Sequence, residues 1–542
     1  VPRALRRRRT DEAVSATAGA GILVRLGLRR DRIRLLVWVA VFALLAAGTA
    51  GATVDLYPTV ASRVEAATAI NNSPALVALY GPILDPRSLG ALSLLKLVNL
   101  GAAMVAVLTA MTTVRHTRAE EESGRLELVG AGVVGRGAPL AAALVLGAFM
   151  SLAVGIGCTL GLVAGGLPLA GSVAFGASWA GVGLVFAGVA AVAAQVAQAA
   201  RNATGLALGT LGAAYVLRAV GDANDSVGWL VWLSPLGWGH RVGAFAGERW
   251  WVLLLPVAAT LALAAVAATL SARRDLGAGV LPDRSGPARG GRGLADLPGL
   301  AWRLERAGLL AWAGGFVFAG VLMGALAGEV GSIVTSDASR EYIRRLGGEK
   351  GMAEAYLAAV LGVSGLLAAA YGVHTTLRLR AEETSQRADA VLATGVSRRR
   401  WALTHLGTAT AGTVVLVLTV GITGGLARSL QVGDLSDLPG VLAGALVQLP
   451  AVWVVMGIAL AAYGVGARFA AAGWAALVVF LLLGTIGALF DLPRRVVDLS
   501  PFTHVPQLPG GTVHVAPLLV LLLIAAALDG VGLFALGRRD LG

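Results

Sequence analysis

Charge is what this sequence has least of. Only 14% of its 542 residues are Asp, Glu, Lys or Arg, where a soluble domain carries about 25%. Lysine occurs twice, as Lys96 and Lys350, and cysteine once, as Cys158 inside an apolar run. A single cysteine excludes a disulfide within the chain. Neither lysine follows a glycine, so there is no Gly-Lys-Ser/Thr loop to hold nucleotide phosphates. The histidines are few and scattered: His116, His240, His374, His405, His504 and His514. His504 and His514 share a loop, but their spacing is too loose for a metal site. No nucleophile–base pair stands out, which argues against a membrane-embedded enzyme.

What is present is apolar. Hydrophobic residues make up 56% of the chain and the mean hydropathy is +0.76. One aqueous core cannot bury that much apolar surface, so lipid must be the solvent. A spanning helix needs about 20 mostly apolar residues. Twelve runs qualify, at roughly 35–56, 92–114, 139–166, 172–199, 203–221, 251–271, 309–329, 355–377, 402–427, 441–465, 470–490 and 517–536. Gly157, Gly161 and Gly165 recur at four-residue spacing, which lets helix backbones approach closely in lipid.

Arginine sets the expected topology. The amino-terminal segment, the segments after even-numbered runs and the carboxyl terminus hold 31 of the 44 Lys and Arg, including Arg6 to Arg9, Arg273, Arg274, Arg398 to Arg400, Arg538 and Arg539. The positive-inside rule then places both termini in the cytoplasm. Anionic headgroups account for the Arg6–Arg9 run, so no nucleic-acid partner is expected. Scarce lysine beside abundant Ala, Gly and Arg suggests a high-GC bacterium, and hence its inner, plasma membrane. Ala50-Gly51-Ala52 after Arg29 and Arg30 has the look of a signal-peptide cleavage site. However, Arg32, Leu35, Leu36 and Trp38 recur as Arg306, Leu309, Leu310 and Trp312 before an internal run, so the first run reads as a retained helix.

The chain repeats itself. Arg118, Glu120, Glu121, Ser123, Arg125, Ala131, Val134 and Arg136 recur as Arg380, Glu382, Glu383, Ser385, Arg387, Ala393, Val396 and Arg398. RRDLG follows the sixth run as Arg273 to Gly277 and the twelfth as Arg538 to Gly542; Leu-Ser-Pro precedes both runs, at Leu233 and Leu499. Two six-helix halves in the same orientation follow, related by an axis along the membrane normal. The expected fold is an all-α polytopic membrane protein of twelve transmembrane helices as two parallel six-helix repeats. Its halves are 1–275 and 298–542, joined by a Gly-, Pro- and Arg-rich cytoplasmic linker at 276–297. Each half opens on an amphipathic segment, around Ile22 to Ile33 and Leu300 to Arg306, expected to lie on the cytoplasmic leaflet while its arginines reach phosphates.

The duplicated loops carry the functional expectation. Glu120, Glu121, Glu122, Arg125 and Glu127 in the first, and Glu382, Glu383, Arg387 and Asp389 in the second, sit beside a leaflet that repels carboxylates. Glu121 with Arg125, and Glu383 with Arg387, are four apart and suit helical pairing. An acidic end facing a partner beside an apolar side suits docking to a cytoplasmic protein.

RxEExxR with its Ala-x-x-Val-x-Arg ending resembles the first cytoplasmic loop of ABC-2 type exporter permeases, in particular the fused twelve-span actinobacterial antibiotic exporters of the tetronasin or polyketide type. The resemblance extends to Leu-Ser-Pro before the sixth span and to the amphipathic leader, over nearly the whole chain and twice. It implies that the loops are coupling helices, seated on two copies of a separate cytoplasmic ABC ATPase that binds ATP and Mg. It implies a hydrophobic drug or antibiotic as cargo, with lipid as an alternative. Thr384, Gln386 and Asp389 replace Glu122, Gly124 and Glu127 in the second loop, so the two loops are not expected to be equivalent. The rival transport reading, an ion-coupled secondary transporter, needs ionisable groups inside the membrane. Asp529 is one, with Asp55, Glu329 and Lys96 nearer span ends. Asp529 has no first-half counterpart and is expected to be a hydrogen-bonded carboxylate. A sensor or scaffold remains a further class, separable by transport assays.

Overall fold

A computed structural model describes residues 16–130, 132, 134–275, 277–280, 291, 296–328, 348–486 and 493–539. Arg6 to Arg9, Ala131, Glu329, Asp540 to Gly542 and most of the 276–297 segment lie outside these. Among the described residues the chain is helical without strands, and twelve helices are long and apolar enough to cross a membrane. Lipid offers no hydrogen bonds, so each spanning segment satisfies its own backbone as helix.

The chain divides into two compact units, residues 1–286 and 287–542. In the first, span one is Ala20–Leu56, span two Leu95–Arg115, span three Ala138–Ala164, span four Leu169–Val196, span five Ala200–Ala223 and span six Leu254–Arg273. In the second, span seven is Leu297–Ala327, span eight Gly348–Thr376, span nine Arg398–Val432, span eleven Ala472–Ile486 and span twelve Val515–Arg538. Span ten is two helices, Leu438–Leu446 and Leu449–Val465. Its run reads as continuous in sequence, but Pro450 has no N–H to give back to the preceding turn, and the helix restarts there.

The leaders differ from expectation. Neither forms a separate helix; each runs without a break into its span, over Ala20–Leu56 and Leu297–Ala327. Nothing between Arg29 and Leu36 interrupts a helix, and a buried carboxylate ties each leader to the end of the next span or to the loop just beyond it. Asp31 takes Arg115 at 3.0 Å and His116 at 2.6 Å. Glu305, equally buried, takes Arg378.

Glycines decide how spans one and three meet. Gly157, Gly161 and Gly165 face Val39, Ala43 and the Ala47–Ala50 turn, and a Cβ at Gly161 would lie 2.3 Å from the Ala43 carbonyl oxygen. In the second unit the contact of spans seven and nine uses glycines from both helices: a Cβ at Gly324 would lie 2.2 Å from the Gly424 carbonyl oxygen. Large apolar side chains such as Leu44, Leu160 and Leu523 point outward, at 72%, 64% and 70% exposure, as lipid-facing residues should.

Between spans one and two stands the helix Val60–Asn71, its first turn capped by Thr59, and Ser73 caps a second, Pro74–Tyr80. Three side chains hold the end of this second helix. Asn99 donates to the Tyr80 carbonyl at 2.6 Å, and Tyr215 and Arg218 donate to that of Leu79 at 2.6 and 3.1 Å. Arg218 is fully buried, pairs with Asp222 at 3.5 Å and lies over the Tyr215 ring. Asp222 also meets Arg241 at 3.3 Å.

Candidate functional site

Each acidic loop is a pair of short helices with a tight turn between them. In the first unit these are Arg118–Glu122 and Arg125–Gly130, and Gly124 in the turn has φ +70°. In the second they are Arg378–Thr384 and Arg387–Leu392, and Gln386 takes the matching place with φ +57°. A residue with a Cβ pays about 1–2 kcal/mol in that left-handed region. Gln386→Gly is therefore expected to raise the stability of the second unit, by about 1 kcal/mol or less once glycine's extra unfolded freedom is counted. Thermal unfolding in nanodiscs checks this; a lower melting temperature would mean that the glutamine side chain has a compensating contact.

Four of the carboxylates, Glu120, Glu121, Glu382 and Glu383, are turned to partners in their own unit, where an acidic end facing a partner protein was expected. Glu121 is buried and accepts from Arg118 at 2.5 Å and from both terminal nitrogens of Arg274, at 2.5 and 3.1 Å. Arg118, fully buried, also donates to the Ala194 carbonyl at the end of span four and to that of Ala278. Arg274 donates from Nε to Gln195 at 2.7 Å. Glu383 accepts both from Arg539, which grips its two carboxylate oxygens, and from the Tyr463 hydroxyl at 2.6 Å. Arg539 donates further to the Tyr463 carbonyl at 2.7 Å.

The remaining acids follow suit. Glu120 pairs with Arg30 of the leader and lies 3.6 Å from Arg125. Glu382 accepts from Trp401 at 3.0 Å and meets His405 at 3.2 Å. Glu122 is exposed, yet one oxygen accepts the Ala200 backbone N–H at 2.7 Å. That caps the start of span five, where free N–H groups and the helix dipole favour an anion. The expected Glu121–Arg125 pairing is not formed; Arg125 reaches Glu120 instead, because Glu121 is already held by Arg118 and Arg274.

What faces away from each unit is the second short helix. Arg125, Glu127 and Leu128 are exposed, Leu128 at 80%. In the second loop Arg387, Asp389 and Ala390 are exposed. Of the sequence-selected residues, then, Glu120, Glu121, Glu382 and Glu383 build the loops, Glu122 caps span five, and Arg125, Glu127, Arg387 and Asp389 remain on the surface.

Sequence reasoning registered Arg274 and Arg539 only as part of the basic bias that sets the topology and of a repeated RRDLG. A usable signal was there: two motifs of opposite charge recur together, one carrying the glutamate and the other its arginine. Gln195 and Tyr463 gave no such signal. The loop-ending arginines complete the pattern, since Arg136 donates to the Arg274 carbonyl and Arg398 to the Arg539 carbonyl at 2.5 Å.

A family model described as the C-terminal domain of the multidrug efflux system permease Rv1217c matches residues 294–536. The multidrug efflux system permease protein Rv1217c of Mycobacterium tuberculosis (strain ATCC 25618 / H37Rv) is 44% identical over 521 residues, covering 96% of this chain and 94% of its own length. The chain belongs to the Rv1217c permease family. Its kin are named as transport proteins rather than enzymes, in keeping with a multi-pass membrane protein.

Two intramembrane features of this permease bear on transport. The second unit has an apolar cleft of about 320 Å³ lined by Trp312, Phe316, Ala319, Ser364 and Leu367. Asp529 of span twelve has a buried oxygen, Oδ1, with no hydrogen-bond partner among the described residues, against Gly457 of span ten. It is not the satisfied carboxylate that the sequence led us to expect.

Proposed function

We propose that this chain is the membrane subunit of an ABC-2 type exporter, of the kind found in fused twelve-span actinobacterial antibiotic exporters. It lies in the bacterial plasma membrane with both termini in the cytoplasm. It moves hydrophobic drugs or antibiotics outward, driven by two copies of a separate cytoplasmic ATPase that holds ATP and Mg. The observation that carries this reading is the pair of matched loops: same two-helix form, same left-handed position, same buried glutamate–arginine tie, and in each an outward second helix. A solvated turn has no need of so much internal bracing, whereas a docking element that takes mechanical load does.

The docking surface is then the second short helix of each loop, with Arg125, Glu127 and Leu128 in one and Arg387 and Asp389 in the other. Burying an exposed leucine in an interface contributes about 1.5–3 kcal/mol, or roughly tenfold or more in affinity. Leu128→Asp with Glu127→Arg should cut recovery of the ATPase in pull-downs from membranes about tenfold, with thermal unfolding unchanged because both side chains are exposed. Arg387→Glu with Asp389→Arg tests the second loop in the same way. Wild-type association in both would remove the coupling role from these loops. A second reading rests on Asp529: an ion-coupled transporter would lose export in Asp529→Asn and keep it when ATP is depleted, and the ATP-driven reading expects the reverse.

A further inference from the structure

We propose that Arg274 and Arg539 are positioning residues that make each acidic loop and the span ending beside it move as one body. This rests on the coupling reading of the loops. Each arginine holds its loop at two points. The Arg274 side chain grips Glu121 at the loop's start, and its main-chain carbonyl accepts Arg136 at the loop's end. The Arg539 side chain grips Glu383, and its carbonyl accepts Arg398. The outward helix, Arg125–Gly130 or Arg387–Leu392, lies between those two points. One residue therefore brackets each docking helix.

That residue sits directly after span six or span twelve, which end at Arg273 and Arg538. The same cluster reaches the end of span four through Gln195 and Ala194, and the end of span ten through Tyr463. Each loop is thus pinned where two later spans of its own unit end. A guanidinium suits this work because its planar fork satisfies two carboxylate oxygens and a further acceptor at once; a lysine ammonium is a single point of charge. The tie is also dry: side-chain exposure is 8% for both Arg274 and Glu121, and 16% and 9% for Arg539 and Glu383. Such a tie is not loosened by solvent exchange, so displacement of the docking helix passes to the last span instead of being absorbed in the loop. The two ties differ. Glu121 has two arginines, whereas Glu383 has one arginine and a tyrosine, so the second is the weaker link.

Spin labels test the tie and export tests its use. Labels go on Leu128→Cys with Ala268→Cys in the first unit, and on Ala390→Cys with Val531→Cys in the second, in nanodiscs; native Cys158 is buried and stays unlabelled. Narrow distance distributions are expected in the parent, and broad ones after Arg274→Gln or Arg539→Gln. Ethidium export is measured in cells of the source bacterium whose own copy carries the same arginine variant without the labels, as a rate per folded permease in the membrane. Each arginine variant should export about tenfold more slowly. Arg→Lys should fall in between, and Glu383→Gln with Arg539→Gln together should be no worse than either alone. A purely structural role would lower the amount of permease but not the rate per molecule. Unbroadened distances, or broadened distances with the parental rate, would overturn the proposal. Parental export that survives ATP depletion would overturn the coupling reading itself, and the distances would still decide whether the tie exists.

Discussion

Gly161→Leu should leave little correctly assembled permease. A Cβ there would lie 2.3 Å from the Ala43 carbonyl oxygen, 3.0 Å from its carbon and 3.1 Å from its Cα. All three are backbone atoms, so no side-chain rotation relieves the clash. Spans one and three must separate, and contact between helices in lipid depends on such close approach because lipid supplies no hydrophobic drive between them. Overpacking a filled core costs about 1–3 kcal/mol and sometimes more; with backbone as the obstacle, the upper end applies. The matching control is Gly205→Ala in span five, where nothing lies within 4 Å of the added carbon. It should be neutral or stabilising by up to about 1 kcal/mol, the helix-propensity gain. Fluorescence-detected size exclusion with a temperature series reads both. A Gly161→Leu protein that elutes and melts like the parent would show that spans one and three are not in this contact.

Arg218→Ala should cost nearly as much for an electrostatic reason. Its side chain and that of Asp222 are both fully shielded from solvent. Removing a buried charge while leaving its partner costs about 3–5 kcal/mol. Arg241, 3.3 Å from Asp222, offsets part of this. Loss of the Arg218 bond to the Leu79 carbonyl also frees the end of the Pro74–Tyr80 helix, so protease should nick the segment between spans one and two sooner than in the parent. Arg218→Lys keeps the charge and should melt in between. Parental melting and parental proteolysis in the alanine variant would mean that the cluster contributes nothing to holding that segment.

The spans were legible in sequence because the solvent is lipid. An apolar run of sufficient length has one way to satisfy its backbone, so composition suffices to place a helix, give or take a turn. Where sequence reading missed, the cause was local. Pro450 broke a run read as continuous, and the stretch from Arg29 to Leu36 continued a helix expected to divide at the interface. The candidate site was legible only as a recurrence. Glu121 and Glu383 stood out, but their surroundings did not, and nothing near them in sequence pointed to Arg274 or Arg539 as the charge that each meets.

Periodicity, length and charge bias need only neighbours in sequence. From those alone followed an all-helical chain of twelve spans, with two matched acidic loops that deserve mutation. Which way the glutamates turn depends on Arg274 and Arg539, separated from them by 153 and 156 residues. Packing of four further spans brings each pair together, and a charged carboxylate leaves water at tolerable cost where such a partner is already in place. Tertiary structure alone therefore decided that Glu121 and Glu383 hold the loops from within, and that the second short helix of each loop is the part left exposed.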